Sequence, residues 1–97
     1  MKKILVVDDE ESIRASLSIL LKRNGYGVGE ARDGAAALRM LDESCYDLVI
    51  TDLNMPGLGG LDLLKHVRKE HRDTEVIILT AYGSIQSAVE AIKTGGY

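Results

Sequence analysis

Three short apolar runs, Ile4 to Val7, Leu48 to Ile50 and Val76 to Leu79, recur along the chain, each rich in β-branched residues and none alternating apolar with polar. Runs of this kind suit strands covered on both faces, the condition of a parallel sheet. Between them the spacing predicts helices, each with one apolar stripe: Ile13, Leu17, Leu20 and Leu21; Leu38 and Leu41; Leu61, Leu64 and Val67; Ile85, Ala88, Val89 and Ile92. Asn24-Gly25 and Gly95-Gly96 stand where helices should stop, and Asp33 and Ser84 where N-caps belong. A further strand is expected at about Gly27 to Ala31, where glycines and the charged Glu30 suit a sheet edge. Strand and helix therefore alternate in an α/β series, predicting a mostly parallel sheet with right-handed connections and helices on both faces.

The 97 residues suffice for one small domain, which buries somewhat over ~60% of the surface its unfolded chain exposes. With 45% hydrophobic and 28% charged residues and a single proline, the composition is that of a globular protein. The net charge of −3 and the scattering of lysines and arginines among acids leave no footprint for nucleic acid or an anionic membrane. Met1-Lys2-Lys3 resembles the start of a secretory signal, but the apolar run after it ends at Val7, and no later stretch is long enough to span a bilayer. The expected location is cytoplasmic. Cys45, the single cysteine, is expected to be a small buried hydrophobe.

Parallel strands all point one way, so the residues that follow them gather on one rim, where open α/β folds bind ligands. Asp8 and Asp9 follow the first run, Thr51-Asp52 the third strand and Thr80 the fourth. Acids after a strand commonly cap the next helix, which is the plain reading of Asp8-Asp9. Asp52 does not fit it, because no helix can begin until after Pro56. The convergence favours an acidic pocket, with Glu10 and Glu11 facing solvent in the first helical turn, at the positive end of its dipole. A hard divalent cation such as Mg²⁺ takes carboxylates, waters and phosphate oxygens. An Asp carboxylate can attack phosphorus to give an acyl phosphate, and a threonine hydroxyl can donate to a phosphoryl oxygen.

The segments LVVDDEESIR, LVITDLNMPGLGGLDLL and VIILTAYGSIQSAVEAIKTGGY, in this order, resemble the receiver domain of two-component response regulators, most closely NtrC-like regulators of sigma-54-dependent transcription. The resemblance runs from Lys3 to Tyr97. It implies a flavodoxin-like, doubly wound parallel sheet. It further implies that Asp52 accepts a phosphoryl group from a phosphohistidine of a sensor histidine kinase. Asp9 and Asp52 would ligate Mg²⁺ directly, Asp8 through water, and the backbone carbonyl of Asn54 would complete the set. Thr80 would be the switch hydroxyl, with Ala81 leaving space beside it, and Met55-Pro56 and Gly60 match the loop after the acceptor. Gly59, where many relatives carry an acid, is a minor departure.

Family members continue beyond the position of Tyr97 with a fifth strand, a phosphate-pairing lysine, a switch aromatic and a fifth helix. Residues 1–97 are accordingly expected to be a receiver domain incomplete at its C-terminus, with strand order 2-1-3-4 and the fifth strand and fifth helix missing. An uncovered edge strand and apolar patch around Val76 to Tyr97 would favour self-association into a dimer or larger assembly.

Other residues carry plainer readings. His66 and His71 are expected to be surface histidines away from the rim, and Lys65, Arg68, Lys69 and Arg72 a solvated helix face. Gly57, Gly59 and Gly60 match no nucleotide-binding spacing and read as turn residues, and Tyr82 is either a reporter of switching or a loop aromatic. Three functions compete: a phosphoacceptor signalling domain, a non-switching interaction or dimerisation module lacking the phosphate-pairing lysine, and a Mg²⁺-dependent phosphohydrolase. The hydrolase is disfavoured because its nucleophile belongs in a DxD arrangement after the first strand, where this chain has Asp8-Asp9-Glu10.

Overall fold

A computed structural model describes residues 2–52, 57 and 59–79. The apolar runs form strands β1 (Lys3–Val7), β3 (Leu48–Asp52) and β4 (Glu75–Leu79), with β2 (Gly27–Ala31) where the glycine-rich segment was expected. Helices α1 (Glu11–Arg23), α2 (Gly34–Glu43) and α3 (Gly60–Glu70) alternate with them. All strand pairs are parallel and the order is β2-β1-β3-β4, the doubly wound arrangement of a flavodoxin-like sheet. The expected fourth helix, with its Ser84 cap, lies outside the described residues, as does most of the segment expected to join two copies.

Alternate residues of the central strands point to opposite faces, and each face has its own core. Leu5, Val7 and Val49 pack with Ala37 and Leu41 of α2 and with Leu63 and Val67 of α3. Ile4, Val6, Leu48 and Ile50 pack with Leu17 and Leu21 of α1 on the other side. Burying each such aliphatic side chain contributes roughly 1.5–3 kcal/mol, which is why Ile4 to Val7 of β1 and Leu48 to Ile50 of β3 are all apolar.

The local signals act as their chemistry dictates. Asp33 caps α2, its Oδ1 accepting from the Ala36 N–H at 2.8 Å. After α1 the Asn24 side-chain amide donates to the Leu20 carbonyl at 2.8 Å, and Gly25 takes φ +88°, a left-handed conformation that favours glycine. Gly57 likewise turns with φ +76°, in line with its reading as a turn residue. Lys65, Arg68, Lys69 and Arg72 are all exposed, as expected of a solvated face.

Two expectations about the packing of α3 and of the connection after α2 need correction. The stripe of α3 is Gly60, Leu63 and Val67, whereas Leu61 is 55% exposed and Leu64 half-buried. Both Leu63 and Leu64 lie within a turn of Val67, and spacing alone does not choose between them. Cys45 is exposed; the buried place in that connection goes to Tyr46, whose larger apolar area gains more from it.

Tyr46 also explains a glycine in β2. A Cβ on Gly29 would stand 2.5 Å from the Tyr46 hydroxyl oxygen and 3.1 Å from Met40 Cε. Glycine here thus makes room for the ring that closes the core beneath the edge strand. Gly29→Ala is expected to lower stability by about 1–3 kcal/mol through overpacking, and Gly29→Ala with Tyr46→Phe to recover part of it. Chemical denaturation of the three proteins measures both.

Candidate phosphoacceptor site

The sheet register builds the acidic pocket. Val7 of β1 pairs with Thr51 of β3, so the next residues, Asp8 and Asp52, stand level on neighbouring strands. The Asp8 N–H donates to the Ala31 carbonyl at 3.1 Å, extending the ladder with β2 by one step and fixing the peptide. Asp9 follows on the turn into α1. Carboxylate oxygens of Asp8, Asp9 and Asp52 all lie within 4.8 Å of one another. Asp8 is buried, Asp52 half-buried and Asp9 exposed, so the cluster opens to solvent on the Asp9 side.

Capping and clustering are not alternatives at Asp8. Its Oδ1 accepts from the Glu10 N–H at 2.9 Å, the local backbone role anticipated for an acid after a strand, and the same carboxyl belongs to the cluster. Glu10 is the N-cap residue of α1 and Glu11 its first-turn acid, both exposed, as expected. Burial, above all, raises the pKa of Asp8 above its ordinary value of 3.8, the charges of Asp52 and Asp9 add to the rise, and the Glu10 N–H opposes it.

One neighbour was not anticipated. Arg14, in the first turn of α1, donates from a guanidinium nitrogen to the Asp8 carbonyl at 2.7 Å and lies 3.7 Å from Glu30 of β2. It thereby ties the pocket's first peptide to both the helix and the edge strand, and gives the charged Glu30 a partner. Its place in LVVDDEESIR was visible, but nothing in a linear reading links it to a carbonyl six residues earlier. Thr51 is fully buried, its hydroxyl donating to the Asp52 carbonyl at 3.1 Å. Asn54, Met55, Pro56, Thr80, Ala81 and Tyr82 lie outside the described residues; β4 brings the chain to Leu79, level with Asp52 and one residue short of Thr80.

A family model, the response regulator receiver domain, matches residues 4–97. This chain belongs to that family. The receiver domain is 38% identical over 96 residues to the response regulator protein PilR of Pseudomonas aeruginosa, the match covering 99% of the chain and 22% of PilR. It thus spans about a fifth of that relative's length. Among solved structures it is similar to the response regulator TrrA of Thermotoga maritima in complex with Mg²⁺-BeF, at 43% identity and a TM-score of 0.80, covering 94% of this chain and 79% of that one. TrrA in complex with the histidine kinase ThkA also matches, at 45% identity and a TM-score of 0.79, over 87% and 72% of the two chains.

The raised pKa of Asp8 gives the receiver domain a defined pH response in the absence of divalent cations. The folded state holds the Asp8 proton more tightly than the unfolded chain does, so this group lowers stability as pH rises through and above 3.8. Asp8→Asn keeps an oxygen for the Glu10 N–H and removes the charge. It is expected to raise the melting temperature by a few degrees at neutral pH in EDTA, a gain that shrinks to nothing below pH 3.8, and calorimetry across pH measures it.

Proposed function

We propose that this domain is the phosphoacceptor of a two-component system, taking a phosphoryl group onto Asp52 from the phosphohistidine of a sensor histidine kinase. The observation that carries the reading is the meeting of Asp8, Asp9 and Asp52 at the C-terminal rim of a parallel sheet. The relative TrrA, solved both with Mg²⁺-BeF and with its kinase, supports the same assignment of cation and partner.

The donor set fits Mg²⁺: all its described members are carboxylate oxygens, and their mutual repulsion leaves negative charge to be offset. Asp9 and Asp52 would hold the ion directly. Asp8, buried and with one oxygen committed to the Glu10 N–H, would act through water, and the Asn54 carbonyl would complete the protein ligands. When bound, Mg²⁺ neutralises charge between the carboxylate and the phosphoryl oxygens. In the transfer itself an Asp52 carboxylate oxygen forms the new bond to phosphorus as the donor's N–P bond breaks. The bonding pair leaves with the imidazole nitrogen, and the product on Asp52 is a mixed carboxylic-phosphoric anhydride. The Thr80 hydroxyl would donate to a phosphoryl oxygen, coupling the modification to the β4 end of the sheet. The output we propose is regulation of transcription, as the resemblance implies.

Incubation with Mg²⁺ and acetyl phosphate is expected to add one phosphoryl mass that is lost in mild base. Asp52→Asn should abolish the addition while the protein stays folded, since the change is nearly isosteric and relieves repulsion. Undiminished base-labile labelling of that variant would assign the acceptor elsewhere. Asp9→Ala should weaken Mg²⁺ binding at least ~10-fold in a titration, as expected for loss of a ligand.

A further inference from the structure

The other end of the sheet holds a second convergence. Helices return antiparallel to the strands, so the last turns of α2 and α3 lie at the rim opposite the acidic pocket, with the length of the strands, about 3.3 Å per residue, between them. There Asp42 of α2 meets His66 of α3 and His71, the C-cap residue of α3, with potential ligand atoms all within 4.8 Å of one another. The two histidines are half-buried rather than on the surface, and their rings stand 5.7 Å apart between centroids.

Their nitrogens are the unusual feature. The Nε2 atoms of His66 and His71 are both shielded from solvent, and neither has a hydrogen-bond partner among the described residues. His71 Nε2 lies 3.4 Å from Asp42 Oδ1, an ion-pair distance without hydrogen-bond geometry. Shielded ring nitrogens without partners are costly in an apolar setting, and two side by side call for a shared partner.

The turn that carries His71 is pinned. Its N–H donates to the Val67 carbonyl at 2.7 Å, its carbonyl accepts from the Thr74 N–H at 3.0 Å, and the Thr74 hydroxyl donates to the Tyr46 carbonyl at 2.6 Å. Asp42 is 67% exposed and leaves a path for an ion and for water ligands. A tetrahedral ion with bonds of about 2.0–2.1 Å holds its ligand atoms roughly 3.3 Å apart, close to the His71–Asp42 separation. The negative ends of two helix dipoles also face this point, which favours a cation.

We propose that His66, His71 and Asp42 form a binding site for Zn²⁺, separate from the acidic pocket, in which the ion ties the end of α2 to the end of α3. Two imidazoles and a carboxylate suit a borderline cation and not Mg²⁺, which favours an all-oxygen shell, so the two sites sort the two ions by donor type.

The test uses the whole chain with excess Mg²⁺ present to occupy the carboxylates at the other rim, and Zn²⁺ as the probe. The chain has two histidines, so its imidazole proton spectrum assigns itself once one variant is made. Zn²⁺ is expected to shift both histidine signals at a stoichiometry of one, and Co²⁺ in its place to give the absorption of a tetrahedral site. His66→Gln and His71→Gln should each weaken Zn²⁺ binding at least ~10-fold, with Cys45→Ser unchanged. Histidine signals of the unmodified chain that do not move with Zn²⁺ would overturn the proposal without reliance on any variant. Equally tight binding by the double histidine variant would overturn it too.

Discussion

Repulsion among carboxylates held at one rim of the sheet is the constraint on which the rest of the acidic site depends. Asp8 and Asp52 cannot move apart, because each continues a strand whose neighbours are locked in register and whose preceding residues, Val7 and Thr51, are buried. The core therefore acts as a rigid frame that holds like charges together against their preference. The pKa of Asp8 is raised first by its burial in that frame and then by the charges of Asp52 and Asp9, and the Glu10 N–H offsets part of the rise. Carboxylates held together in this way are the donor set that a hard cation takes, and this is the basis of the proposed Mg²⁺ site and of the proposed role of Asp52 as nucleophile.

The layered fold was legible because its signals are strong and local. Buried parallel strands need continuous apolar runs, and three of the four strands showed them; β2 betrayed itself by glycines and a charge, as an edge strand does. The rim acids were legible for the same reason, since the end of an apolar run is the end of a strand. What linear reading missed lies in relations across elements. Leu63, and not its neighbour Leu64, takes the buried place in the α3 stripe because the choice between adjacent leucines is made by what packs against the helix. Gly29 is small on account of Tyr46, and Arg14 reaches back from the first turn of α1 to a carbonyl six residues earlier. Cys45 lost its expected burial to a larger neighbour.

The histidines show the same limit more sharply. His66 and His71 are five apart on α3 and its cap, a spacing that does not by itself put two rings together, and Asp42 comes from another helix. Their meeting depends on the C-cap, where His71 leaves helical geometry at φ −135° and ψ 66°. The two ends of the sheet thus differ in chemistry: oxygen donors where the strands finish, imidazoles and one carboxylate where the helices do.

A carboxyl-carbon NMR titration of Asp8, carried out with and without Mg²⁺, reports whether the three carboxylates act as one site. Without the ion, Asp8 is expected to titrate above its ordinary value of 3.8, with a midpoint that falls when Asp52 is neutralised by Asp52→Asn. With Mg²⁺ the midpoint should fall as well, because a cation among the carboxylates favours the charged form against the burial and the neighbouring charges that raise it. A midpoint that neither Mg²⁺ nor the Asp52 substitution moves would mean that these carboxylates do not act as one site.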